Sequence, residues 1–334
     1  MNTVEKQVLP APPSLITALL AGFDVITNHI ELIIFPLALD LLLWLGPRLR
    51  LMTLIERFIE DFINLPEMET AETLNVMQLS EGIWSSIAER VNLFSLLRSY
   101  PVGIPSLMAS KQPIEAPLGG TPAWDITSYW AVLGWIIFFT IVGLLIGTLF
   151  FLLVSQASLS GEVKWREAFG RWPGASLQVF FLELFWLVIL IGISILGSCV
   201  ISSIALSGLA IGQFGILLVG GVVLWLLFPL LFSAHGIFVN QDKMWLSVRE
   251  SIRLTRLTLP RTALFILAII LISEGLDLLW NIPEESSWLT VIGVAGHALV
   301  TTSLLAASFV YYQDAHRWVH WLLKQAKLSS SVLS

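Results

Sequence analysis

The chain has 334 residues, 56% of them apolar and only 13% charged, with a mean hydropathy of +0.83. A soluble domain carries about 25% charged residues, so this composition excludes a disordered chain and an ordinary soluble enzyme. Lys and Arg number 18 against 24 Asp and Glu, a net charge of −6, which leaves no basic excess for a nucleic-acid partner.

In chain order, residues 1–28 form an arm and an interfacial helix. The arm holds Glu5, Lys6, Pro10, Pro12 and Pro13 and has no basic start before an apolar core, so it is not a cleaved signal peptide. Transmembrane helix 1 is expected over 29–46, the most marginal span because it carries Glu31 and Asp40. Residues 47–126 form an external insertion. Leu51, Ile55, Phe58, Phe62 and Leu65 recur at helical spacing, with Glu56, Arg57, Glu60 and Asp61 opposite. A second helix is expected from Glu72 to Leu97, and then Pro101, Pro105, Pro113, Pro117 and Pro122 impose an irregular return. Residues 127–312 hold five more apolar stretches, at 127–154, 176–198, 209–232, 262–280 and 289–312, and 313–334 form a tail. The fold class is therefore all-α: a polytopic transmembrane bundle of six spanning helices, with interfacial amphipathic helices and a helical outer cap made by the insertion.

Basic residues set the orientation. If residues 1–28, 155–175, 233–261 and 313–334 face the cytoplasm, they hold twelve of the 18 basic residues, and the two short outer loops hold none. The reading is a multi-pass protein of the cell inner (plasma) membrane with both termini cytoplasmic. Arg48 and Arg50 conflict with it, because they sit just past helix 1 on the outer side. An amphipathic stretch precedes each odd-numbered helix: Ser14 to His29, Val163 to Ser176, and Met244 to Arg261. In the last, Trp245, Val248, Ile252 and Leu259 are apolar at helical spacing, and Arg249, Arg253 and Arg256 are cationic. Such a segment lies flat on the inner surface, with its arginines on anionic lipid head groups. The chain then reads as three units, each an elbow plus a hairpin.

The basic elbow Val248 to Pro260 and the ending Ala307 to Trp318 resemble uncharacterised bacterial six-helix membrane proteins. They resemble in particular the membrane domain that accompanies some glycerophosphodiester phosphodiesterases. The likeness covers about half the chain. It implies architecture and not that activity, because the soluble catalytic barrel with its carboxylate ligands has no counterpart here.

Ionisable residues inside a membrane are costly, so they are the first functional candidates. They are Glu31, Asp40, Glu183, Glu274, Asp277, His297 and, near an inner end, His235. Asp40, Glu274 and His297 fall at similar depth below the outer surface, and Glu274 and Asp277 share a helix face. Asp40, Glu274, Asp277 and His297 thus form a candidate intramembrane polar cluster, with Glu274 and His297 expected to meet across the last hairpin. Such a cluster relays protons, binds a cation or serves as structural glue. Gly143 with Gly147 and Gly208 with Gly212 mark close helix packing.

Catalytic motifs are missing: no HExxH, phosphate-binding loop or dinucleotide fingerprint occurs. With one cysteine, Cys199, no disulfide framework or Cys-rich metal site is possible. His316 and His320 stand four apart, but with only Asp314 near them no third metal ligand is evident. No metal or cofactor is expected, and the flanking Tyr311, Tyr312, Trp318 and Trp321 suggest an aromatic interfacial anchor. Ser207, Gly208 and His297 resemble the rhomboid-type intramembrane serine protease plan, but Ala205 stands where that motif has glycine. A transporter permease is the alternative, with Pro36 and Pro229 as helix breaks. The leading reading is a non-catalytic integral membrane protein, a scaffold or interaction component with the lipid bilayer and a membrane protein as partners.

Overall fold

The computed structural model describes residues 11–63, 86, 88–206 and 212–332. The fold is all-α but for two three-residue strands among the described residues. In order the elements are α1 (Leu15–Asn28), a 3-10 turn (Ile30–Ile33), α2 (Ile34–Leu45), β1 (Arg48–Arg50) and α3 (Met52–Ile63). A 3-10 helix (Leu93–Arg98), α4 (Leu107–Lys111), β2 (Ala123–Asp125), α5 (Tyr129–Ser160) and α6 (Trp165–Leu206) follow. After α7 (Gly212–Leu227) come a 3-10 turn (Phe228–Leu230), α8 (His235–Val239), α9 (Met244–Leu257), α10 (Leu259–Trp280) and α11 (Thr290–Val332).

Among the described residues, five helices are long and apolar enough to cross a membrane: α5, α6, the stretch Leu217–Val239, α10 and α11. The sixth expected span qualifies only when Leu15–Asn28 and Ile30–Leu45 are taken together, and that pair bends by 91°. The marginal first span is thus α2, whose 12 residues fall short of the ~20 a bilayer requires. Elsewhere the sequence reading ends helices too early. The 42 residues of α6 and 43 of α11 run to about 63–65 Å, twice the ~30 Å hydrocarbon core. The second elbow is therefore no separate element but the first turns of α6, with Pro173 inside the helix. The tail from 313 onward continues α11. The tail of α11 is rich in good helix formers such as Leu322, Leu323, Lys324, Gln325 and Ala326, whereas Gly170, Pro173 and Gly174 oppose helix at the start of α6, which packs instead through the buried Ala168 and Ala175.

The chain divides into two units. One comprises Met1–His29, Phe151–Leu271 and Ser303–Ser334. Its core joins Ala18, Phe232, Leu254, Phe265, Ala307, Tyr311, Tyr312 and Ala315, with the Phe265 and Tyr311 rings stacked at 4.1 Å. Gly22 lets α1 press on α11: a Cβ there would stand 2.5 Å from the Ala307 nitrogen and the Ser303 carbonyl. The third elbow is a helix, α9, separated from α10 by Thr258. Pro260 sits in the first turn of α10, where its missing N–H removes no helical bond.

The other unit comprises Ile30–Phe150 and Ile272–Thr302. The ends of the insertion zip together as a parallel pair, Arg48 with Ala123, Leu49 with Trp124 and Arg50 with Asp125. A parallel pair needs a long crossover, which the insertion provides. Most of the helix expected over Glu72 to Leu97 lies outside the described residues; residues 86 and 88–90 are helical as expected, and its end, Leu93–Arg98, is a 3-10 helix instead. Arg48 is buried and donates to the carbonyls of Glu89 and Arg90 at 2.6 and 3.4 Å. Its position beyond helix 1 thus follows from folding of the insertion, not from charge sorting across the membrane. Gly143 and Gly147 do not mark a helix pair. A Cβ at Gly143 would stand 2.6 Å from the Leu97 carbonyl oxygen, and one at Gly147 2.9 Å from that of Val102. These glycines lie 14 and 18 residues into α5, about 21 and 27 Å from its start. The insertion therefore sends its backbone down the flank of α5, where an outer cap was expected.

Candidate functional site

Of the expected cluster, the structure pairs Asp277 with His297, brings Asp40 within reach of the His297 charge, and leaves Glu274 out. Asp40 on α2 is fully buried. Its carboxylate accepts the Ser106 hydroxyl at 2.5 Å and the backbone N–H groups of Met108 and Leu107 at 2.9 and 3.2 Å. Ser106 in turn accepts the Ala109 N–H at 3.0 Å. The first N–H groups of a helix have no partner of their own, so Asp40 and Ser106 together cap α4. Irregular backbone is tolerated beside membrane helices only when its polar groups are satisfied by protein. Asp40 meets that requirement for the insertion where it runs along α5.

His297 does not meet Glu274. Its Nδ1 lies 2.7 Å from Asp277 Oδ1, and Glu274 is exposed. Counting depth from the helix ends could not separate two acids one turn apart, because they differ by only ~4.5 Å in rise. Of the other intramembrane candidates, Glu31 is exposed, Glu183 is half-buried on α6, and His235 Nε2 lies 2.9 Å from the Ser308 hydroxyl. Ser207 and Gly208 lie outside the described residues.

The break at Pro229 is real, and the third elbow seals it. Beyond α7 the chain leaves the α-helix through Phe228–Leu230 and a turn before α8. Ser251 of α9 donates to the Pro229 carbonyl at 2.8 Å, and Ser247 to the Ser233 carbonyl at 2.6 Å. The buried face of α9 consists of Ser247, Val248, Glu250, Ser251, Leu254 and Thr255. Of the expected lipid-facing set, Trp245 and Leu259 are exposed, Ile252 is half-buried and Val248 is buried in protein, while Leu246 and Leu257 are exposed as well. Ser247 and Ser251, one step of four apart, are the sequence signal for a face that satisfies backbone. Of the expected head-group arginines, Arg249 and Arg256 are exposed, while Arg253 pairs with Glu250 at 2.8 Å. Arg256 is also the one charged side chain lining an apolar groove of about 930 Å³ between Val188, Leu196, Trp225 and Ile252.

Glu250 belongs to a second polar constellation. It stands beside His316 and His320 of α11, with one ligand atom from each of the three within 4.8 Å of the others. Asn240 and Asp242 border the group, with Asn240 Nδ2 3.3 Å from Asp242 Oδ2 and 3.5 Å from His316 Nε2. Burial pushes the Asp242 carboxyl above its ordinary value, while Asn240 and the two histidines oppose that rise. Among the described residues this is the one set of three side chains with the donor types and spacing of a metal centre. Comparison with protein-family models, with curated proteins and with solved structures finds no match to the chain.

Proposed function

We propose that the protein is a non-catalytic integral membrane protein, a scaffold or interaction component of a membrane complex that docks a transmembrane helix of another polypeptide. The observation that carries this is the uneven burial of its long helices. Within the chain, 50% of the apolar stretch of α5 and 61% of that of α11 is buried. The figures are only 17% for α6, 22% for Leu217–Val239 and 11% for α10. The poorly buried helices carry glycines, Gly192, Gly220, Gly221 and Gly275, where a Cβ would meet nothing within 4 Å. A glycine on an open membrane face lets another helix approach closely. The permease alternative is less well supported. Asp40 is engaged in capping α4, and the carbonyls of Pro229 and Ser233 at the helix break accept hydroxyls of the chain itself. In this reading the protein resides in the inner (plasma) membrane with both termini cytoplasmic, and Arg249 and Arg256 meet anionic lipid.

The test is site-specific photo-crosslinking in the native membrane, with the reactive side chain at the exposed Leu196, Leu224 or Leu264. Protein adducts of one discrete mass, obtained at one or two positions and absent at the third, are expected of a docked helix. Adducts to lipid alone at all three positions would overturn the proposal.

A further inference from the structure

His316 and His320 are one turn apart on α11, which places their imidazoles on one helix face, with ring centroids 4.2 Å apart. Against that face stands Glu250 of α9, whose side chain is only 11% exposed, with Oε2 3.5 Å from His320 Nε2. Two ligands held by one tetrahedral zinc ion at ~2.0–2.1 Å lie about 3.4 Å from each other. The Glu250–His320 edge therefore already has the length that a shared ion sets. The remaining edges, at most 4.8 Å, close by about 1.4 Å or less, within reach of small side-chain rotations.

We propose that Glu250, His316 and His320 bind a divalent transition-metal ion, zinc by preference, which staples α9 to α11. Two imidazoles and one carboxylate are the donor set of an open four-coordinate zinc site, with the fourth position left to water. Imidazoles select such an ion over magnesium or calcium, which take oxygen ligands. The second oxygen of Glu250 is fixed by Arg253 at 2.8 Å, the kind of outer contact that orients a ligating carboxylate. The side chain of His320 is 49% exposed, which gives the ion a path to the site. The sequence reading expected no metal because no third ligand stands near the histidines along the chain. Glu250, 66 residues before His316 in the sequence, supplies it through folding.

The full-length protein in detergent, stripped with a chelator, is titrated with Zn²⁺ alone at neutral pH. One saturating ion per chain is expected, with a rise in the thermal unfolding temperature, and Co²⁺ in its place should give visible d–d absorption. His316→Ala and His320→Ala should each weaken Zn²⁺ binding by more than about 10-fold, a loss that even an outer-sphere partner can cause. Glu250→Gln should do the same. Should that variant not fold, His320→Ala decides, since its side chain is half exposed and its loss spares the core. The absence of saturable binding, or equal affinity in the native protein and both histidine variants, would overturn the proposal.

Discussion

Replacing Asp40 separates a structural carboxylate from a proton-relay carboxylate, because the two roles require opposite behaviour of the asparagine variant. Asp40→Ala strands the N–H groups of Leu107 and Met108 and removes the acceptor of Ser106, all at a fully buried position. Each buried unsatisfied donor costs about 1–3 kcal/mol, so the two backbone groups alone give a loss of about 2–6 kcal/mol. In Asp40→Asn one oxygen remains to accept, and the amide NH₂ faces an N–H where an acceptor stood. That variant should lose about 1–3 kcal/mol, less than the alanine. Ser106→Ala should fall near the cost of a lost cap, about 0.5–2 kcal/mol. Thermal unfolding in detergent, followed by tryptophan fluorescence, reads the order Ala worse than Asn worse than native. Protease sensitivity of residues 97–111 should rise in the same order. A relay role predicts that Asp40→Asn folds as well as the native chain, and that result would refute the capping argument.

The other predictions follow from the remaining contacts. Asp277→Ala should destabilise by about 0.6 kcal/mol and at most about 1.7, the average and maximum for hydrogen bonds between membrane helices, and Glu274→Gln should leave unfolding unchanged; the reverse order would show that His297 pairs with Glu274. Ser251→Ala removes the donor to the half-buried Pro229 carbonyl and should cost about 0.5–1.5 kcal/mol, read by the same unfolding assay, with Ser203→Ala on the exposed part of α6 as the neutral control. Gly143→Val presses a side chain on the Leu97 carbonyl and should cost about 1–3 kcal/mol, whereas Gly134→Ala, with open space around it, should be tolerated.

The long apolar helices were legible in the sequence because membrane burial demands an uninterrupted run of apolar residues, and α5, α6, α10 and α11 each contain one. Their ends were not legible. Beyond the apolar runs, local propensity and packing decide where a helix stops, as Trp165 to Gly174 and the tail after Tyr312 show. The course of the insertion was hidden for another reason. Its deep segment is held by backbone contacts at Gly143 and Gly147, and backbone has no sequence signature of its own. Asp40 was recognised as a costly residue, but its partners lie 66–68 positions away, beyond any periodicity argument. The metal constellation was half legible: spacing paired His316 with His320, but only the fold brings Glu250 to them. The charge of Arg253 points to lipid in the sequence, whereas the fold pairs it with the buried Glu250 one turn away.

The most direct test of the interaction role is the mass of the species that leaves the native membrane in lipid nanodiscs without prior detergent. The account predicts a particle in which the 37.1 kDa chain is joined by a second polypeptide at fixed ratio, and which separates when Leu224 on the exposed face of α7 is replaced by Arg. A particle holding one copy of the chain and lipid alone, unchanged by Leu224→Arg, would contradict it.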